Sequence, residues 1–199
     1  ILGPNSAIDP CTGVRVGEAI VVPATSAISS EEIFHVAADN VTISGFTIDG
    51  NNPGLTSGYL GTNLADIDAA EGITVYETGI NGLTATNNII QNLSYFGVTL
   101  HDYPAGVPSS GHTIADNKIR NLGTYAAGSG IAFWGRGVLL YNNQYAAVTD
   151  NCMENVRLGV QTGNFSQANP GSSAYQVISG NTMTVRKRGI FHNLAYNTA

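Results

Sequence analysis

Charge is scarce in this sequence. Only 11% of its 199 residues are charged, with 8 Lys+Arg against 14 Asp+Glu and a formal net charge of −6. The densest basic run is Arg186-Lys187-Arg188. That is too little positive charge to track a phosphate backbone, so no nucleic-acid partner is expected. No apolar run approaches the length of a bilayer crossing, so no membrane span is expected. The two cysteines, Cys11 and Cys152, do not make a disulfide scaffold. Their partnership stays open, and Cys152 beside Met153 reads as a small buried apolar residue. His35, His101, His112 and His192 share no ligand-type spacing, which argues against zinc. Helical i, i+3, i+4 spacing never persists beyond about one turn, which excludes helical repeats.

What is present is turn chemistry. The 24 glycines, with abundant Asn, Thr and Ser, favour an all-β chain with many tight turns. Gly82–Leu93 pairs a short alternating run with an Asn-rich turn and a second run. The phrase returns at 112–122, 146–156 and 176–185, with an earlier copy at 41–48. Self-similarity of this kind indicates stacked units. Ile43, Ala85, Ile114, Val148 and Ile178 align as one apolar column, and Ile48, Ile90, Ile119, Met153 and Met183 as another. Asn88, Asn117, Asn151 and Asn181 align as a structural ladder, each Asn occupying a left-handed corner, with Phe46 breaking the column at its start. A glycine marker is read at Gly72, Gly97, Gly130, Gly159 and Gly189. One domain over 1–199 is expected, with an irregular first portion over 1–32 and an inserted loop over 51–71. Its ends read as parts of neighbouring units, so a piece of a longer chain is expected.

The segments 40–48, 85–92 and 178–183 resemble right-handed parallel β-helix repeats of the pectin-lyase-like group of secreted bacterial proteins. The resemblance covers residues 33–199. It implies a single-stranded right-handed parallel β-helix solenoid of six to seven coils with an Asn ladder. It also implies an extracellular or cell-surface location. The group holds polysaccharide lyases and hydrolases, epimerases, adhesins and phage tailspikes, so it implies no single activity. Polygalacturonase-type motifs are not intact here. Asn181-Thr-Met183 stands in place of Asn-Thr-Asp, and Gly111-His-Thr113 in place of Gly-His-Gly. Lys118-Ile-Arg120 reads as an outward-facing pair flanking a core isoleucine.

Chemistry is sought where the chain leaves each strand after its glycine. Tyr76, Glu77, His101, Asp102, Tyr103, Trp134 and Arg136 align there, followed by long loops at 103–111, 135–144 and 163–174. Aromatic rings beside acids and an arginine suit sugar rings and their hydroxyls. Tyr76, His101, Tyr103 and Trp134 are the carbohydrate-binding candidates. Glu77, Asp102 and Arg136 are the catalytic candidates, since paired carboxylates can cleave glycosides. Asp66, Asp68 and Glu71 are the calcium candidates, and no other metal or cofactor is expected. The expected function is a structural or adhesive extracellular module that binds polysaccharide along this face. The alternatives are a polysaccharide lyase or glycoside hydrolase in the same groove, and a fibre subunit stacking end to end.

Overall fold

Short alternating runs broken by Asn and Gly form short strands, and the computed structural model describes residues 1–101, 107–126, 130–131, 134–164 and 173–194. No helix occurs among them. In chain order the strands begin with β1 (Ile20–Val21), β2 (Ala27–His35), β3 (Thr42–Ser44), β4 (Thr47–Asp49) and β5 (Ala69–Val75). Next come β6 (Thr84–Thr86), β7 (Ile89–Leu93), β8 (Phe96–His101), β9 (Ser109–Ser110), β10 (Thr113–Ala115) and β11 (Lys118–Leu122). β12 (Tyr125–Ala126), β13 (Gly130–Ile131), β14 (Arg136–Tyr141) and β15 (Asn143–Gln144) follow. The last are β16 (Ala147–Thr149), β17 (Cys152–Asn164), β18 (Val177–Ser179) and β19 (Thr182–Leu194).

The expected single-stranded right-handed β-helix solenoid is not what these strands make. Ten of them join in one parallel sheet, ordered β1-β4-β7-β11-β17-β14-β8-β5-β2, with β19 also paired to β17. The path starts and ends on strands from the first 35 residues, giving a nearly closed, barrel-like sheet. A five-stranded sheet (β18-β16-β10-β6-β3) and two two-stranded sheets, β12-β13 and β15-β9, accompany it. The cause lies inside β17. A corner was expected between two separate strands, yet the chain stays paired for 13 residues. It absorbs the bend by register shifts between Glu154 and Val156 and between Val156 and Leu158, with Asn155 at φ 53°. β17 pairs with β11 through its first residues and with β14 through its last, so two halves become one sheet.

The core lies inside this curved sheet and the five-stranded one. Ile48, Ile90, Ile119 and Met153 pair in register and are buried. Ile43, Ala85, Ile114 and Val148 do the same in the smaller sheet. The glycine column needs one correction. Gly137, not Gly130, stands between Gly97 and Gly159: a Cβ on Gly97 would lie 2.7 Å from the Gly137 carbonyl oxygen, and one on Gly137 would lie 2.7 Å from that of Gly159. These glycines allow neighbouring backbones to approach.

The asparagine row is a continuous hydrogen-bonded line. Asn88 Nδ2 donates to Asn117 Oδ1 (3.1 Å), Asn117 Nδ2 to Asn151 Oδ1 (3.0 Å) and Asn151 Nδ2 to Asn181 Oδ1 (2.9 Å). Their side chains also bridge strands: Asn117 Nδ2 donates to the carbonyls of Ala85 (2.8 Å) and Ala115 (2.9 Å). The left-handed residue is the one before each ladder member, Asn87, Asp116, Asp150 and Gly180, and Gly45 holds the same place before Phe46; their φ lie between 53° and 82°. A second Asn column, Asn92, Asn121 and Asn155, takes φ of 53–57° at the other bend. Asn155 Nδ2 donates to Asn121 Oδ1 at 2.9 Å.

Cys152 is not a free apolar residue. It is bonded to Cys11, with a Cα–Cα distance of 5.9 Å, across 141 residues of sequence. The bond ties the irregular N-terminal segment to the start of β17. Arg15 reinforces that attachment, donating to the carbonyl of Asn87 (2.8 Å) and pairing with Glu18 (2.6 Å).

Two outcomes are expected from this arrangement. Asn117→Ala strands buried acceptors on β6 and β10 and amide groups of the turns at Asn88 and Asn151, and costs about 2–4 kcal/mol in denaturant unfolding; a change within the noise would contradict the ladder's role. Reduction of Cys11–Cys152 releases a loop long enough to cost about 5 kcal/mol by chain entropy, read as a fall in melting temperature with a phosphine reductant. An unchanged melt would show that the N-terminal segment is held by packing alone.

Candidate functional site: an aromatic cleft over the sheet

Three adjacent strands build the site through their register. Glu71 of β5 pairs with Phe96 of β8, and Phe96 with Arg136 of β14. Each precedes a glycine of the close-approach column, so the three side chains stand side by side on the outer face. Trp134 and Tyr95, just ahead of β14 and β8, cover one flank. Tyr76, just past β5, and His101 and Tyr141, the last residues of β8 and β14, cover the other. Together with Ser29 and Leu139 they line a cleft of about 380 Å³. That is within the usual size of small-ligand sites, with rings on the walls and a few polar groups among them.

The rings interlock. Tyr95 and Phe96 lie 5.2 and 6.0 Å from Trp134, and His101 lies 5.8 Å from Tyr76 and 5.6 Å from Tyr141. The Arg136 guanidinium sits over Trp134 (4.9 Å) and Phe96 (5.0 Å). Its Nε donates to Gln161 Oε1, and Gln161 Nε2 donates to the Tyr141 hydroxyl. Nη1 of Arg136 is buried without a hydrogen-bond partner, and among the described residues no carboxylate pairs with it. Burial lowers its pKa, so the site holds a cation that its own neighbours leave partly unsatisfied.

Glu71 is buried on the same floor. Burial raises its pKa, and hydrogen bonds from the hydroxyls of Thr99 (2.5 Å) and Tyr76 (2.6 Å) oppose that rise without cancelling it. Tyr76 is raised as well, first by burial and then by the charge of Glu71. Burial pushes His101 down to about 4, so its ring is neutral near neutral pH.

The sequence candidates separate. Tyr76, His101, Trp134 and Arg136 meet in the cleft. Asp102 and Tyr103 lie outside the described residues. Glu77 is not in the cleft: its Oε1 is 2.7 Å from His35 Nε2, while His35 Nδ1 is 2.7 Å from Glu32. Those two contacts, Glu32 first, raise the His35 pKa. Asp66 accepts from the backbone N–H groups of Ser57 (2.8 Å) and Gly58 (3.1 Å), and Asp68 from that of Asn52 (3.0 Å), which makes both loop fasteners. Among the described residues no group of three or more His, Cys, Asp or Glu could hold a metal ion. Residues 136–141, read as part of a loop, are strand β14. Tyr95, Phe96, Tyr141 and the place of Glu71 were not read from the sequence. The signal was the residue before each glycine, visible only once Gly137 replaces Gly130 in the column.

Comparisons with models of known protein families, with curated proteins and with solved structures return no match. Among the described residues, no helix is long and apolar enough to cross a membrane.

The His101 environment gives a pH signature. The folded state holds the ring neutral down to about 4, whereas the unfolded chain takes the proton near 6.5. Its contribution is therefore complete above 6.5 and is lost as pH falls toward 4, by up to about 3 kcal/mol. The difference in unfolding free energy between wild type and His101→Gln should follow that window, and the His101 ring should titrate near 4 by NMR. A midpoint near 6.5 would contradict the burial assigned to it.

Proposed function

We propose that this protein is an extracellular or cell-surface binding module that holds polysaccharide in the cleft beneath Trp134. The observation that carries the reading is the cleft itself. Aromatic faces lie beside a guanidinium whose buried Nη1 has no hydrogen-bond partner, and beside a buried carboxyl. Rings cover the apolar face of a sugar, and Arg136, Glu71 and Tyr76 can exchange hydrogen bonds with its hydroxyls. The Cys11–Cys152 bond supports an oxidising compartment, hence secretion.

A lyase or hydrolase in the same cleft is the second reading, favoured by the raised pKa of Glu71, which suits a general acid. Hydrolysis by paired carboxylates needs a second carboxylate about 5–10 Å away. Glu71 is the single carboxylate lining the cleft among the described residues. Its register neighbour Glu32 is engaged elsewhere, by His35 (2.7 Å) and Thr74 (2.5 Å), and this weighs toward binding.

Titration calorimetry against neutral and uronic-acid polysaccharides, with and without calcium, tests both readings. Binding is expected without new reducing ends or unsaturated products. Trp134→Ala should weaken it at least tenfold, about 1.4 kcal/mol. Product formation abolished by Glu71→Gln would establish the enzyme instead, and no binding to any polysaccharide would overturn both.

A further inference from the structure

The two ends of the sheet system carry complementary edges. One end is made by residue Leu2, bridged to Ser44, with β1 and β2. The other is made by β18 and β19, which pair inward with β16 and β17. Among the described residues, nothing pairs with the outer edge of β19. An unpaired edge of this length templates another strand unless something guards it.

Following each column across the sheet gives the register of a continuation. One column runs Glu32, Glu71, Phe96, Arg136, Leu158, Arg188. Its neighbour runs Phe34, Ile73, Val98, Val138, Val160, Ile190. On the other half of the sheet, Val21, Ile48, Ile90, Ile119, Met153 and Met183 align. In the small sheet Leu2 leads to Ser44 and, four strands later, Ser179. A second molecule placed tail to head in this register therefore sets Arg188 beside Glu32, Ile190 beside Phe34, Met183 beside Val21 and Ser179 beside Leu2.

Charge and polarity agree with that placement. Residues 1–35 hold Asp9, Glu18, Glu31 and Glu32 against the single Arg15. Residues 173–194 hold Arg186, Lys187 and Arg188 and no acid at all. Pairing two such tails would oppose like charges, whereas tail to head joins opposite ones. Apolar residues stand exposed on both ends: Leu2 (70%) and Ile20 (60%) on one, Val177 (54%) and Ile190 (55%) on the other. We propose that the partner of the β18–β19 end is the β1–β2 end of a second copy of this chain, giving a head-to-tail row through parallel strand addition. Such a heterologous contact extends rather than closes. It leaves the cleft on the side of the row, and its failure would leave the cleft reading untouched.

Sedimentation velocity of the full chain over a concentration series tests the proposal. The weight-average mass should rise beyond twice the 20.7 kDa of one chain and fall again in high salt. Arg188→Glu should return the protein to a monomer, as should Ile190→Asp, with unchanged circular dichroism. Mixing Arg188→Glu with Glu32→Arg should restore association by charge exchange. A monomer at every concentration overturns the proposal. So does a dimer that strengthens when Arg188→Glu meets wild type, which is the signature of tail-to-tail pairing.

Discussion

Buried amides must be answered, and the line Asn88-Asn117-Asn151-Asn181 answers them. Each bend between the small sheet and the large one exposes backbone groups that no strand can pair. An asparagine can both donate and accept, so one side chain closes the bend above while bonding the bend below. Phe46 shows where the line stops: its own N–H donates to Asn88 Oδ1 at 3.1 Å, but it has no amide to carry the row further. Shifting the row by one residue would turn every core column outward, because strand side chains alternate.

Register is also what makes the cleft. Glu71, Phe96 and Arg136 come from strands separated by 25 and 40 residues, yet each precedes a glycine whose missing Cβ lets the neighbouring backbone close in. Side chains ahead of the glycines then stand in file. Arg136 gains two ring faces and no carboxylate, while Glu71 gains two hydroxyl donors and little water. The groups that would meet a sugar are thus by-products of close strand packing, sharpened by burial.

Much of this was legible in the residues. The apolar columns through Ile48 and Ile43 could be read because apolar side chains recur at matching positions, and the Asn row because the same residue does. The architecture could not be read from the same columns. Periodicity reports which residues stack, but whether a bend ends a strand or is absorbed within it depends on local pairing, as the shifts around Asn155 show. Gly130 and Gly137 both precede alternating apolar residues, and only the backbone contact distinguishes them. The Cys11–Cys152 pair was opaque because the irregular first segment has no repeat to fix its position. Glu71 looked like part of an acidic loop with Asp66 and Asp68, yet it lies within β5 and lines the cleft, while those two fasten the loop.

The chain has a single tryptophan, and it lies in the cleft. Its emission therefore reports cleft occupancy without labels or substitutions. Titration with oligosaccharides prepared from any polysaccharide the protein retains should shift or quench that emission, saturating at one ligand per chain. Saturable binding that leaves the tryptophan emission unchanged would place the glycan elsewhere and contradict the account.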